Sequence, residues 1–224
     1  MSRKLVVLTA GLSQPSSTRL LADQLADAVS SAVGGRGESL EVEVIELREL
    51  ASDLATTLTT GGLPTPAVAA AREKVSAADG LIAVTPVFTA SYSGLFKMFI
   101  DVLDTDALNG MPVLIAATAG TARHALVLDF AMRPLFTYLR SVVVPTGVFA
   151  ATEDFGSTGL TDRIQRAASE LAQLIVAEPT GVQGFLRDEP PRHRTSGNSL
   201  GEVTPFSRLL AGHTGNGSES HALG

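Results

Sequence analysis

Short apolar runs alternate with stretches of helical periodicity along most of this chain. Lys4–Ala10 (KLVVLTA) is almost continuously apolar, the pattern of a strand covered on both faces. From Thr18 onward Leu21, Leu25, Ala28, Val29 and Ala32 fall on one helical face. Leu40–Leu47 (LEVEVIEL) alternates, which predicts a half-buried strand. Residues 48–65 are mixed and end in TTGGLPTP, so they read as a surface loop. A helix follows over Ala67–Ala78, then a buried strand over Gly80–Pro86 (GLIAVTP). Ser93–Leu103 reads as helix and Met111–Gly120 as strand. Arg123–Arg140 reads as a helix that Pro134 kinks or breaks near Arg133. Ser141–Ala150 is a fifth strand, and Thr158–Glu178 a last helix with Leu160, Ile164, Ala168, Leu171 and Ile175 in phase.

Such β-α alternation with buried strands predicts an α/β fold: a doubly wound, five-stranded parallel sheet with helices on both faces. Five strands suit the order 2-1-3-4-5, in which ligands sit beyond the strand C-termini, where strands 1 and 3 diverge. That domain spans residues 1–178. Residues 179–224 turn rich in Pro, Gly, Ser and charge, as in a linker or disordered tail. An apolar island at 203–212, with Phe206, Leu209 and Leu210, interrupts this extension and offers a docking segment.

Composition narrows the function classes. The 224 residues are 45% hydrophobic, which suits one globular domain with a sizeable core. A net charge of −6 argues against nucleic-acid binding, which needs a basic footprint. There is no cysteine, so disulfides, thiolate metal sites and cysteine nucleophiles are excluded. The four histidines are scattered and imply no metal. No apolar run approaches a membrane span, and polar SQPSSTR follows the first strand where a signal peptide would be cleaved. The chain reads as cytoplasmic.

Three loops carry the candidate chemistry. Gly11–Thr18 joins the first strand to a helix and holds Ser13, Ser16, Ser17 and Thr18. Helix N-termini bind phosphate through free N–H groups, and hydroxyls add donors without bulk. The loop has neither the Gly-Lys-Ser/Thr of a P-loop nor the further glycines of a dinucleotide fingerprint. It is either a capped turn or a seat for a mononucleotide phosphate. The second loop, TPVFTASYSGLFK, brings Phe88 and Tyr92 to the divergence point, as packing residues or as the wall of a flat-ring site. The third, Ala117–His124 (ATAGTARH), is small enough for close backbone approach and ends in Arg123 and His124, which are ligand contacts or surface side chains.

Taken together, AGLSQPSST, TPVFTASYSGLFKMFIDVL and ATAGTARHA resemble the NADPH-dependent FMN reductases of flavodoxin-like fold, most of all the branch paired with luciferase-like flavin monooxygenases. The likeness runs from about Arg3 to Val176. Thr85, Pro86, Ser91, Gly94, Lys97 and Asp101 match the middle motif, while Val87 and Phe88 replace its Glu-Tyr and Thr89 its Asn. The resemblance implies an oxidoreductase that passes hydride from NADPH, or NADH, to FMN without a protein acid or base. It implies that Gly11, Ser13, Ser16, Ser17 and Thr18 hold the FMN phosphate. Pro86, Val87, Phe88 and Ser91 would line the ring, and Thr118, Ala119, Gly120 and Thr121 would close the pocket. Arg123 is the candidate partner for an NADPH phosphate. The alternatives are a reductase of quinones, azo compounds or metal ions with FMN bound, and a flavodoxin-like electron carrier. A phospho-acceptor signalling domain is excluded, because Thr9–Ser13 and Thr85–Val87 stand where its acidic cluster belongs.

The helices at 93–103 and 123–140 are apolar nearly all round, more than a sheet-covering helix needs. The surplus predicts either a subunit interface, most simply of a two-fold homodimer, or a thickly covered core, and the resemblance implies a homodimer or a larger assembly such as a tetramer. The resemblance adds flavin sites near the subunit interface and a monooxygenase as partner.

Overall fold

The computed structural model describes residues 2–177, 194–199 and 208. Its centre is a parallel ladder. β1 (Arg3–Thr9) runs beside β2 (Leu40–Glu46) from the pair Arg3/Leu40 to Thr9/Glu46. On its other edge β1 pairs with β3 (Gly80–Phe88), from Leu5/Gly80 to Thr9/Val84. β3 then pairs with β5 (Pro112–Ala119), from Leu81/Val113 to Pro86/Thr118. Two short strands, β6 (Val142–Val143) and β7 (Val148–Ala151), complete the far side of β5 in parallel. The order is the expected doubly wound one, with the fifth strand in two pieces. Pro145 lies in the break, where a residue without an N–H cannot continue the ladder.

Strand alternation divides the core into two layers. Leu5, Val7, Ile82, Val84, Leu114 and Ala116 pack under α1 (Ser17–Gly34) and α6 (Thr158–Val176). Val6, Leu8, Leu81, Ala83, Val113 and Ile115 face the opposite layer. That layer holds α2 (Ala51–Thr59), α3 (Pro66–Ser76), α4 (Gly94–Val102) and α5 (Arg133–Tyr138). The central strands are thus apolar on both faces, as their near-continuous sequence runs require. Among the described residues no helix is long and apolar enough to cross a membrane.

Several elements differ from expectation. Residues 48–65 are not all loop: a 3-10 turn over Leu47–Leu50 leads into α2, and only the stretch after Thr59 is irregular. Leu47 and Leu54 are fully buried, with Leu50 partly buried against the same core. Their near-helical spacing was readable, but polar neighbours and threonines masked it. The Arg123–Arg140 segment is composite. It opens with a 3-10 turn at Ala122–His124, passes through a π turn at Leu128–Met132 and becomes regular only in α5. Pro134 has no N–H to give the Phe130 carbonyl, and just before it the Arg133 N–H bonds Leu128 O, five residues back.

β3 runs two residues further than expected and folds back as β4 (Ser91–Tyr92), antiparallel to Val87–Phe88. The two-residue turn places Thr89 (φ 48°) and Ala90 (φ 67°) in the left-handed region, which matches the twist of a tight hairpin. Neither residue is the glycine or asparagine that marks such turns in sequence, so this hairpin was hidden.

On α4 the apolar surplus is mostly core: Phe96, Phe99, Ile100 and Val102 are buried and Met98 is partly so. The island at 203–212 lies outside the described residues. Residues 194–199 dock on α3. Buried Arg72 donates its Nε–H to Ser196 O at 2.8 Å, and the Asn198 amide donates to Ala69 O at 2.8 Å.

The packing of α2 can be tested directly. Leu54→Ala should cost about 2–4 kcal/mol in urea unfolding, because it opens a cavity under a buried helix. Leu58→Ala, on the exposed side of α2, should change stability by less than about 0.5 kcal/mol.

Candidate functional site

The parallel register turns the C-terminal ends of β1, β3 and β5 to one edge of the sheet, with Thr9 opposite Val84 and Pro86 opposite Thr118, so the three candidate loops meet there. At the first loop the chain turns tightly at Gly11. A Cβ there would lie 2.1 Å from Ser16 Oγ and 3.1 Å from Thr18 Cβ, so only glycine fits. Ser16 is the N-cap of α1: its backbone is extended, and its Oγ accepts from the Arg19 N–H at 3.2 Å. The Leu20 N–H bonds Ser16 O at 3.0 Å. The Ser17 and Thr18 N–H groups are left with no intrahelical acceptor, at the positive end of an 18-residue helix. Ser13 and Ser17 are exposed beside them. The loop is therefore a capped turn that leaves two unbonded N–H groups beside two exposed hydroxyls.

Thr18 has a separate task. Its hydroxyl is buried and lies 2.8 Å from the hydroxyl of buried Thr118, at the end of β5. This contact ties the first loop to the third.

The second loop is held from below. The buried Thr85 hydroxyl accepts from the Ser93 N–H at 3.0 Å, and Ser93 Oγ caps α4 by accepting from the Phe96 N–H at 3.2 Å. Lys97 and Asp101 pair one turn apart on α4. Thr85 and Ser93 thus hold the β3–α4 corner, and Pro86, Val87 and Phe88 continue β3 beyond it. The two aromatic candidates separate. Tyr92 is half-buried and packs on Phe96 with ring centroids 5.9 Å apart, whereas Phe88 is 47% exposed at the site.

Together these loops enclose a cleft of about 370 Å³. Ser13, Ser16, Ser17, Thr18, Pro86, Val87, Phe88, Thr118, Ala119 and Gly120 line it, as the sequence grouped them. Leu12 and Thr152 also line it and were missed. Thr152 follows β7, whose end lies within one residue of the expected fifth strand's, but the loop after that strand was not among the three candidates. Gly11 shapes the cleft from behind. Ser91 sits on β4 opposite Phe88, outside the lining. Thr121 and Arg123 are exposed beyond the rim, and the Arg123 Nε–H points at His124 Nε2, 3.4 Å away.

Among the described residues, every one that lines the cleft is uncharged. Behind the first loop four charged side chains form one network. Glu46 pairs with both Arg19 and Arg48, and Arg19 also pairs with Asp23. Hydrogen bonding to Asp23, then the attraction of both carboxylates, raises the Arg19 pKa against the opposing effect of burial. The cleft offers hydroxyls and N–H groups at one end and an apolar wall at the other. It can bind an anion attached to a flat apolar group, and its lining holds no side chain suited to acid or base work at neutral pH.

Comparison with known proteins places the chain in a family. The model of the NADPH-dependent FMN reductase family matches residues 3–156. An FMN reductase (NADPH) from Pseudomonas aeruginosa is 38% identical over 77% of this chain and 92% of its own length. The NADH-dependent FMN reductase SfnF of Pseudomonas fluorescens is 38% identical over 78% of this chain and 94% of its own. Among solved structures, an oxidoreductase from Corynebacterium diphtheriae is 59% identical, with a TM-score of 0.77, over 79% of this chain and 98% of that one. This chain belongs to the NADPH-dependent FMN reductase family.

The contact between the loops gives a second test. Thr118→Val leaves the buried Thr18 hydroxyl without its partner, and should lower stability by about 1–3 kcal/mol in chemical denaturation. Thr118→Ser keeps the hydroxyl and should recover most of that loss.

Proposed function

We propose that this family member transfers hydride from reduced nicotinamide to FMN and releases reduced FMN to a partner flavin monooxygenase. The observation that carries this reading is the pairing, in one uncharged cleft, of a helix N-terminus flanked by hydroxyls with the apolar wall Pro86–Phe88. The unsatisfied Ser17 and Thr18 N–H groups and the Ser13 and Ser17 hydroxyls suit a phosphate. Pro86–Phe88 and Thr118–Gly120 suit the two sides of a ring. FMN, when bound, supplies the hydride acceptor. The chain's own residues position it, exclude water from its apolar side and offer backbone donors near its polar edge.

Among the described residues no lysine or arginine lines the cleft, which favours exchange over retention. A phosphate held by N–H groups and hydroxyls alone forgoes the stronger ion-paired contacts. That suits a supplier of reduced flavin better than a reductase that keeps its FMN for a quinone, azo or metal-ion acceptor. The named relatives include both NADPH- and NADH-dependent enzymes. Exposed Arg123, just past the rim, fits the phosphate of the donor. The reading assigns the protein to the cytoplasm, where reduced nicotinamide is available.

We also propose a homodimer or higher oligomer. Leu126 (63% exposed), Phe130 (79%) and Tyr138 (79%) lie along the composite helical segment ending in α5. Large apolar side chains in such a row mark an interface. β4, beside the cleft, rests on the same π turn, so the interface would lie close to the flavin site.

Titration with FMN, followed by loss of reduced-nicotinamide absorbance with FMN as sole acceptor, tests the central reading. FMN-dependent turnover with rapid flavin loss on dilution is expected. Turnover only with a third acceptor, FMN staying bound, would favour the retained-cofactor enzyme, and FMN binding without any turnover the electron carrier. Arg123→Ala should raise the KM for NADPH about tenfold, the worth of one charged phosphate contact, with little change in kcat. Phe130→Asp should shift the protein to monomer in light scattering; unchanged mass would remove this face from the interface.

A further inference from the structure

The first loop has few ties to the body between Gly11 and its cap at Ser16. The Ala10 N–H bonds Val84 O at 3.0 Å, and the next backbone N–H along the chain to find a backbone acceptor is that of Leu20, which bonds Ser16 O. Between these points Arg48 reaches in from the 3-10 turn after β2. Its Nη1–H donates to the Ser13 carbonyl at 3.5 Å. With the Gln14 amide turned so that its oxygen faces the guanidinium, the fork also donates to Gln14 at 2.6 and 2.8 Å. Arg48 is itself anchored: its Nη2 lies 2.6 Å from Glu46 Oε2, and neighbouring Leu47 is fully buried. Glu46 ends β2 opposite Thr9 of β1, so the brace runs from the sheet to the loop.

From this geometry we propose that Arg48 is a positioning residue for phosphate recognition, acting through Ser13 and Gln14 rather than on the ligand. The inference rests on the reading of the cleft as an FMN site. Arg48 is absent from the cleft lining and opens instead on the adjoining recess formed with Gln14, Arg19 and Glu46. Its charge is already balanced, since Arg19 and Arg48 face Asp23 and Glu46 in one network. What Arg48 contributes is shape. A planar fork grips a carbonyl and a side-chain amide together, and a lysine cannot reproduce that with one point charge. The loop so held carries the Ser13 hydroxyl, which a phosphate meets and a flavin ring does not. Arg48 therefore sets the preference for the phosphorylated flavin over the bare one.

The test compares dissociation constants for FMN and riboflavin, by quenching of flavin fluorescence, in wild type, Arg48→Ala and Arg48→Lys, with thermal melts alongside. Both variants should lose FMN affinity about tenfold, the size of one charge-assisted hydrogen bond, while riboflavin affinity stays within about twofold. An unchanged FMN/riboflavin ratio in both variants overturns the proposal, as does equal loss for both flavins, which marks a merely structural role. Full FMN affinity in Arg48→Lys overturns it too, because charge and not the fork would then be at work. Arg48→Lys keeps most of the side chain and reads the effect even if the alanine variant fails to fold. If wild type shows no preference for FMN over riboflavin, the assignment of the cleft fails, and that outcome is separate from any effect of Arg48.

Discussion

The parallel ladder through β1, β3 and β5 sets the terms for the rest of the molecule. Its strands are buried on both faces, so their backbone groups can be satisfied only by one another. No irregular backbone or exchangeable polar group can sit along such strands without an unpaired donor. Both are displaced to the strand ends, where helices begin and N–H groups come free. Because the strands run parallel, with Thr9 opposite Val84 and Pro86 opposite Thr118, the displaced groups collect at one edge. The cleft is a consequence of burying the sheet.

The same constraint accounts for the chemistry of the lining. Loops that meet this closely must be small, and Gly11 shows how little room there is: a methyl group would take the place of the capping hydroxyl. Serine and threonine are the polar residues that fit. Their hydroxyls can cap a helix, pair across loops or face a ligand, and here Ser16, Thr18 and Ser13 divide those tasks. A site of this kind recognises an anion by direction and not by charge. Its selectivity then depends on how firmly the donors are aimed, which makes supports behind the loop as important as the groups that face the cleft.

The sequence revealed what depends on periodicity and composition. Continuous apolar runs marked the buried strands, alternation with helices gave the order, and the strand-end rule collected ten of the residues that line the cleft. What it hid depends on geometry that leaves no compositional trace. The β4 hairpin turns on Thr89 and Ala90, two residues that rarely adopt positive φ. α2 was lost because three threonines and an aspartate interrupt its apolar face, although Leu47 and Leu54 carry the burial. Losing that segment also concealed Arg48, whose partners Ser13 and Gln14 lie 35 and 34 residues earlier in the chain. Spacing along a sequence signals neighbours within one element, and a brace between two elements has no such period.

Pro134 shows how one residue can link the core to the surface. Without its N–H the chain cannot extend a regular helix back to Phe130, and a wider π turn precedes it. The turn buries Leu128 and Met132 while Phe130 and, one turn earlier, Leu126 point outward. A regular helix through this stretch would change the phase between its first half and α5, and so change which apolar residues face the sheet. The turn also supports β4, whose partner Phe88 walls the cleft. An exposed apolar row and the mouth of the site thus share one local departure from helical geometry. A subunit that covered Leu126 and Phe130 would press on the element that holds Phe88, and would thereby join assembly to access at the cleft.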